Sequence, residues 1–74
     1  MSSEISTIAK NIRKLRKKKG ISQDKLSKFA NIAYNTIIKI ESGAIKNPTI
    51  ETVQKIAKAL GVSLDELTRV KQFK

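Results

Sequence analysis

The middle of the chain has apolar residues at helical spacing, flanked by residue types that begin and end helices. Leu26 and Ala30 lie four residues apart, on one face of a helix predicted over residues 23–30. Ser22 precedes this segment and is a preferred N-cap, whereas Asn31 tolerates the left-handed backbone conformation that ends many helices. The sequence therefore predicts a short helix bounded by these two residues.

A second short helix is predicted over residues 34–41. Ile37 and Ile40 recur at helical spacing, and Gly43 supplies the terminator. With these two isoleucines turned inward, the outer side of the helix carries Tyr34, Asn35, Ile38 and Lys39. A face that bears a hydroxyl, an amide and an ammonium group suits an ordered array of hydrogen-bond donors and acceptors. Base edges in the major groove of DNA are such an array.

The N-terminal part of the chain has a narrow apolar stripe surrounded by polar and basic residues. Ile8, Ile12 and Leu15 define the stripe, which predicts a helix over about residues 6–19. Gly20 follows and ends this helix. Basic side chains fill its remaining faces.

Two more helices are predicted in the C-terminal part. Apolar residues at helical spacing mark residues 50–60, with Thr49 as a candidate N-cap, and the last helix covers about residues 64–71. Ser63 and Glu66 have the spacing of a capping box. Five short helices with brief connections and no strand-like alternation predict an all-α fold, a compact single domain over the whole chain.

Length and composition narrow the class of protein. Seventy-four residues form one small domain, near the lower size at which a chain folds alone. The chain has no cysteine, so its hydrophobic residues, 39% of the total, must supply the core without disulfides or thiolate metal sites. No apolar run approaches the roughly 20 residues of a membrane span, and the N-terminus lacks the layout of a signal peptide. We expect a soluble, cytoplasmic protein with no membrane partner.

The charge of the chain is strongly basic and uneven. Sixteen basic and six acidic residues give a formal net charge of +10. Residues 1–46 hold eleven basic and three acidic residues, a net +8, whereas residues 47–74 hold five and three, a net +2. A polyanion is the natural partner, although a protein that is basic for solubility alone would look similar. The run from Lys17 to Lys19 either stabilises the end of the first helix or, as a group, attracts DNA.

The residue types that catalysis requires are absent or scattered. The chain has no histidine or cysteine, and helix capping accounts for Asp65 and Glu66. No pair of acidic residues is placed for acid–base chemistry or metal binding, and no glycine-rich phosphate loop is present. The sequence therefore predicts no enzymatic activity, no cofactor or metal, and no small-molecule ligand.

Three motifs stand in the order and spacing of a known family. They are IRKLRKKKGISQ at residues 12–23, NTIIKIESG at residues 35–43 and NPTIETVQKIAKALGVSLDEL at residues 47–67. This pattern resembles the helix-turn-helix family of phage repressors and Cro proteins (Cro/C1-type, XRE-like). The resemblance covers nearly the whole chain and implies a compact five-helix, lambda-repressor-like domain whose second helix crosses the DNA backbone and whose third lies in the major groove.

The resemblance also implies roles for individual residues. The expected base contacts are Tyr34, Asn35 and Lys39. The expected contacts to the DNA backbone are Gln23, Ser42, Lys46 and Thr49. Asn35 has the geometry to pair with adenine N6 and N7, and Lys39 to donate to guanine O6 and N7. Ile38 lies on the same side and either touches a thymine methyl group or is partly buried.

Arg16 and Glu41 match a family pair that forms a largely buried, structural salt bridge.

Three positions depart from the family pattern. Ala33 replaces the usual Ser or Thr, so the third helix lacks its common side-chain cap, and Asn31 replaces the usual Gly. Ser27 replaces the usual Ala, and its hydroxyl needs a partner if it is buried.

A single domain of this kind makes few base contacts, so a homodimer on a palindromic operator is expected, with half-sites about 34 Å apart. The expected dimer interface is Leu67, Val70 and Phe73, with weak self-association that DNA completes. The alternative is that these residues close the core of a monomer.

Two functions fit the sequence. In the first, the protein is a sequence-specific, double-stranded DNA-binding transcriptional regulator, most simply a repressor. In the second, it is a protein-binding module, such as an antitoxin or a bridging factor, with secondary DNA binding. An exposed apolar cluster at Phe29, Ile38 and Phe73 would favour the second. A lesser idea is nonspecific binding to nucleic acid through the first helix alone.

Overall fold

The computed structural model describes residues 7–68, which form five α-helices without a strand. In chain order they are α1 (Thr7–Lys19), α2 (Gln23–Ala30), α3 (Tyr34–Ser42), α4 (Ile50–Leu60) and α5 (Leu64–Thr68). The predicted all-α, five-helix fold is confirmed. Residue 6 at the predicted start of the first helix and residues 69–71 at the predicted end of the last lie outside the described residues.

Local hydrogen bonds fix where two of the helices begin. The Ser22 hydroxyl accepts a hydrogen bond from the Lys25 backbone N–H at 3.0 Å, as an N-cap does. At α5, the Ser63 N–H donates to Glu66 Oε1 at 3.0 Å while the Glu66 N–H donates to Ser63 Oγ at 3.1 Å. This is the reciprocal pairing of a capping box, and it starts a helix that would otherwise be marginal at this length.

The turn between α2 and α3 depends on Asn31. Its backbone is left-handed, with φ 57° and ψ 48°, and its N–H donates to the Lys28 carbonyl at 3.2 Å. Asparagine is one of the few residues other than glycine that adopt this conformation at modest cost. The departure from the usual glycine is thus compatible with the turn.

Ala33 is the N-cap of α3. Its methyl group cannot accept a hydrogen bond, so this helix start has no side-chain cap. Its φ of −59° and ψ of 140° are extended values that serine also adopts at an N-cap. We expect Ala33→Ser to raise the free energy of unfolding by about 1 kcal/mol, because the new hydroxyl accepts a hydrogen bond from the first turn of α3. Thermal unfolding followed by circular dichroism would show a melting temperature about 4 to 8 °C higher.

The matched control for this change is Ala44→Ser, in the exposed loop after α3, which adds the same hydroxyl away from a helix start. An equal rise for both variants, or none for Ala33→Ser, would contradict the capping explanation.

One hydrophobic core joins all five helices. Its largest fully buried side chains come from every helix: Ile12, Leu26, Ile37, Ile40, Val53, Ile56, Leu60 and Leu67. Ser27 is also buried, at 5% exposure, and its hydroxyl donates to the Asp24 carbonyl at 2.6 Å. The polar atom that replaces the usual alanine methyl therefore has the partner that burial requires.

Leu67 belongs to this core, which corrects the expectation that it stays exposed for a dimer interface. Its side chain has 0% exposure, and its carbonyl accepts a hydrogen bond from Asn11 Nδ2 at 2.7 Å, which ties α5 to α1. For this residue the alternative, closure of the core, describes the structure. Val70 and Phe73, the other two residues of the predicted interface, lie outside the described residues.

None of the helices within residues 7–68 combines the length and the apolar character that crossing a lipid bilayer requires.

Candidate nucleic-acid interface

The two sides of α3 differ sharply in burial. Ile37 and Ile40 are 0% and 1% exposed and anchor the helix in the core. On the opposite side Asn35 and Lys39 are exposed, and Tyr34 at the first turn is 45% exposed. The helix therefore presents an amide and an ammonium to solvent along one side and a phenol hydroxyl at its first turn, and we name this surface the reading face (Tyr34, Asn35 and Lys39).

A buried salt bridge holds the C-terminal half of α3 against α1. Arg16 Nε donates to Glu41 Oε2 at 2.7 Å, and Arg16 Nη2 donates to Glu41 Oε1 at 3.0 Å. The side chains are 12% and 3% exposed. Arg16 Nη1 also donates to the Ile21 carbonyl at 3.0 Å, so the guanidinium links α1, the α1–α2 connection and α3. This paired geometry satisfies both oxygens of a carboxylate that water cannot reach.

The Gln23 side chain joins the same network. Its Nε2 donates to Glu41 Oε1 at 3.0 Å, so that oxygen accepts from both Arg16 and Gln23. Gln23 is the first residue of α2, and this bond fixes the start of α2 to the end of α3. Only one of the two amide hydrogens is needed for this contact. Sequence reasoning did not find this bond, because the two residues are 18 positions apart and neither has a motif that signals the other.

Two of the expected DNA-backbone contacts already have hydrogen-bond partners inside the chain. The Ser42 hydroxyl donates to the Lys39 carbonyl at 3.1 Å and accepts from the Ala44 N–H at 3.3 Å. The Thr49 hydroxyl accepts from the Thr52 N–H at 3.1 Å and donates to Thr52 Oγ1 at 2.9 Å.

Both hydroxyls therefore stabilise helix ends, Ser42 at the end of α3 and Thr49 at the start of α4. Each hydroxyl hydrogen is already in use, so donating to a phosphate would require it to leave its present acceptor. Lys46 differs, because it is exposed in the loop after α3 and makes no salt bridge within residues 7–68.

A cleft of about 340 Å³ lies beside the reading face, between α1, the start of α2 and α3. From α1 it is lined by Arg13, Arg16 and Lys17. Ile38 also lines it and is half-buried, so of the two alternatives for this residue partial burial is observed. We name this feature the basic cleft. Sequence reasoning missed Arg13 as a candidate; the available signal was its i, i+4 spacing with Lys17, which places both on one face of α1.

The fold and the surface together define a class of protein. Two helices joined by a three-residue turn, the second exposing polar side chains beside a basic cleft, form a helix-turn-helix DNA-binding domain. The helix-turn-helix family model matches residues 12–67, more than half of the chain. The chain belongs to the Cro/C1-type (XRE) helix-turn-helix family of DNA-binding transcriptional regulators, as the motifs indicated. It is accordingly a regulator of this type and not an enzyme.

Three relatives illustrate the family. An uncharacterised helix-turn-helix-type transcriptional regulator of Sinorhizobium fredii, y4dJ, is 33% identical over 60 residues, which cover 81% of this chain and 77% of that protein. The N-terminal DNA-binding domain of SinR from Bacillus subtilis superposes with a TM-score of 0.83 at 32% identity, covering 89% of this chain and 96% of that domain.

The restriction-modification controller protein C.AhdI from Aeromonas hydrophila superposes with a TM-score of 0.78 at 28% identity, covering 82% of this chain and 91% of that protein.

Proposed function

We propose that this protein is a transcriptional repressor that recognises a specific double-stranded DNA sequence with α3 in the major groove. The observation that carries the proposal is the contrast across α3, where Asn35 and Lys39 are exposed directly opposite the buried Ile37 and Ile40. A helix anchored in this way can enter a groove about 12 Å wide without unpacking the core.

The chemistry of the reading face matches base edges. The Asn35 amide pairs in a bidentate way with adenine N6 and N7, and the Lys39 ammonium donates to guanine O6 and N7. Tyr34, at the first turn of α3, places its hydroxyl beside the same groove. Within residues 7–68 none of these three side chains makes a salt bridge, so reading a base does not cost an internal ion pair.

The proposal includes a second copy of the chain, because the protein would bind DNA as a homodimer. Two or three base-reading side chains discriminate among few base pairs, so a homodimer on a palindromic operator supplies the specificity that one domain lacks. DNA holds two weakly associating copies with their recognition helices about 34 Å apart. The SinR domain is named as DNA-binding and the Sinorhizobium fredii relative as a transcriptional regulator, which supports regulation of transcription as the role of this chain. We place this role in the cytoplasm.

Selection of binding sites from random duplexes, at fixed salt, tests the proposed function. We expect a consensus made of two inverted half-sites whose centres are about one helical turn apart. Recovery of duplexes without a shared sequence would contradict sequence-specific recognition and would favour general binding to nucleic acid.

The competing function, a protein-binding module, depends on exposed apolar surface. Phe29 is 59% exposed, which fits that function, but Ile38 is half-buried in the basic cleft, and Phe73 lies outside the described residues. Exposed apolar side chains such as Phe29 and, at 65% exposure, Ile50 are ordinary for a surface, so the reading face carries the stronger inference.

Lys46 offers a test of the DNA backbone contact. We expect Lys46→Ala to weaken binding by a similar factor on every duplex, because a phosphate contact carries no sequence information. The slope of log K against log salt should become shallower by about one unit. Fluorescence anisotropy over a salt series measures both quantities.

The matched control is Lys58→Ala, which removes an exposed lysine from α4 instead. If the slope for Lys46→Ala were unchanged, or changed only as much as in this control, Lys46 would not belong to the interface.

A further inference from the structure

A second cleft, of about 470 Å³, lies between the last turns of α1, the connection from α4 to α5, and α5 itself. We name it the α5 cleft, and its lining consists of Leu15, Lys18, Lys19, Val62 and Glu66. It shares no lining residue with the basic cleft, and no residue of α3 lines it. A molecule seated in the α5 cleft therefore leaves the reading face open.

The floor of the α5 cleft is apolar. Leu15 and Val62 are half-buried and pack against the hydrophobic core, so each leaves part of its aliphatic surface in contact with water. Covering that surface with another apolar group is favourable. A branched aliphatic side chain of a protein supplies such a group, whereas a sugar-phosphate backbone does not.

The edge of the α5 cleft is cationic. Lys18 and Lys19 are exposed, and neither makes a salt bridge within residues 7–68. A Cβ atom added at Gly61, the C-cap of α4, would lie 3.6 Å from Lys19 Nζ, so this ammonium reaches from the end of α1 to the end of α4. The carbonyl end of α4 favours a cation there, which keeps the charge at the edge of the cleft.

The charge of the α5 cleft selects among possible occupants. Its one carboxylate, on Glu66, accepts a hydrogen bond from the Ser63 N–H at 3.0 Å in the capping box. Two ammonium groups and this carboxylate give the lining a net +1, on a chain whose net charge is +10. This charge disfavours residues 69–74 as occupants, since they include three basic and no acidic residues, and it disfavours a second copy of this basic chain. An acidic partner is complementary.

We propose that the α5 cleft docks an acidic segment of a partner protein. An aliphatic side chain of the segment covers Leu15 and Val62, and its carboxylates pair with Lys18 and Lys19. The inference goes beyond the proposed function and does not depend on it, because no residue of α3 lines this cleft. DNA recognition and partner docking are then separate properties of one small domain.

The first test uses a blocked, fluorescent synthetic peptide of two leucines and four aspartates, followed by anisotropy at fixed ionic strength. Lys18→Gln/Lys19→Gln should weaken its binding by about 2- to 30-fold, because an exposed ion pair is worth a factor of about 1.4 to 5. The matched control, Lys10→Gln/Lys55→Gln, removes two exposed lysines of α1 and α4 outside the cleft lining and should weaken binding by less than about 1.5-fold. Equal weakening in both variants would overturn the site and leave only general attraction between opposite charges.

The apolar contact is tested on the wild-type protein, so that damage to the fold cannot imitate the result. A peptide with alanine in place of both leucines should bind about 5-fold or more weakly, because it loses the aliphatic surface that covers the floor. Equal affinity of the two peptides would overturn the apolar part of the assignment. A peptide with lysine in place of the aspartates should not bind, and its binding would contradict the charge argument.

NMR titration places the peptide and separates the other occupants. The methyl resonances of Leu15 and Val62 should shift with the same dissociation constant that anisotropy gives. Three results would overturn the proposal: the same shifts when protein concentration alone is raised, which indicates a second copy; the same shifts in Val70→Ser/Phe73→Ser without peptide, which indicates residues 69–74; or displacement of the peptide by a DNA duplex that shifts these methyls.

The free carboxylate isovalerate is the remaining probe. Saturation of these methyls by isovalerate with loss of bound peptide would assign the cleft to a small carboxylate and overturn the protein partner. Each of these failures would leave the proposed function intact, whereas failure to select a consensus from random duplexes would refute that function without changing the result at the α5 cleft.

Discussion

Replacing Glu41 with alanine is expected to lower the free energy of unfolding by about 3 to 5 kcal/mol, the cost of breaking a buried ion pair by removing one partner. The effect is large because the Arg16 guanidinium, 12% exposed, would keep its charge without its carboxylate. Gln23 would lose its acceptor at the same time. Thermal unfolding should show a melting temperature lower by about 12 °C or more, at roughly 4 to 8 °C per kcal/mol for a domain of this size.

An exposed ion pair provides the control. Asp24 Oδ2 lies 3.3 Å from Lys28 Nζ on α2, and both side chains are more than half exposed. Asp24→Ala should therefore change the free energy of unfolding by at most about 0.5 kcal/mol. A double variant, Arg16→Met/Glu41→Met, should be less destabilised than Glu41→Ala, because no charge is left unpaired. A melting temperature for Glu41→Ala within a few degrees of the wild type would refute the structural role of the pair.

The helices are predictable because their signals are local. Apolar spacing locates each helix, and single side chains decide its ends: Ser22 by accepting from the backbone, Asn31 by adopting φ of 57°. The predicted bounds of α2 and α4 agree with the structure, and α3 extends one residue further, to Ser42. Such signals act over three or four residues, which is the range that sequence patterns report.

The uses of polar side chains are less predictable because they depend on how the helices pack. The sequence assigns Thr49 to the DNA backbone as well as to the cap of α4, and its hydroxyl is fully engaged in the cap. The bond from Gln23 to Glu41 spans two helices, and Leu67 is buried because α5 folds back onto α1. No pattern within a single helix encodes these distances. Only the assembled core decides which polar atoms remain available to a partner.

Residues that support the proposed interface therefore differ from those that we propose to contact DNA. Glu41 and Thr49 have their hydrogen bonds inside the chain, so they shape the surface. Asn35 and Lys39 are exposed without an internal ion pair among the described residues, which is why we propose them as the base contacts. Variants of the first group should alter stability, and variants of the second should alter sequence preference.

The double variant Asn35→Ala/Lys39→Ala is expected to lose about 2 to 6 kcal/mol of discrimination between the selected site and an unrelated duplex. Each good bidentate base contact is worth about 1 to 3 kcal/mol, and the variant removes two such contacts of the proposed complex. Competition binding at fixed salt measures the ratio of the two affinities. Stability should change little, because both side chains are exposed and alanine is the best helix former.

Gln54→Ala/Lys58→Ala is the matched control, since it removes an amide and an ammonium group with the same four-residue spacing from an exposed side of α4. This variant should keep the wild-type discrimination, because neither residue lies on α3. If Asn35→Ala/Lys39→Ala instead weakened binding equally on every duplex, both side chains would contact phosphates. If it left both affinities unchanged, α3 would not be the reading helix. If the variant kept the wild-type ratio of affinities for the selected site and the unrelated duplex, the reading face would not contact bases. Selective loss of affinity for the selected site would show that the exposed side of α3 determines the sequence preference.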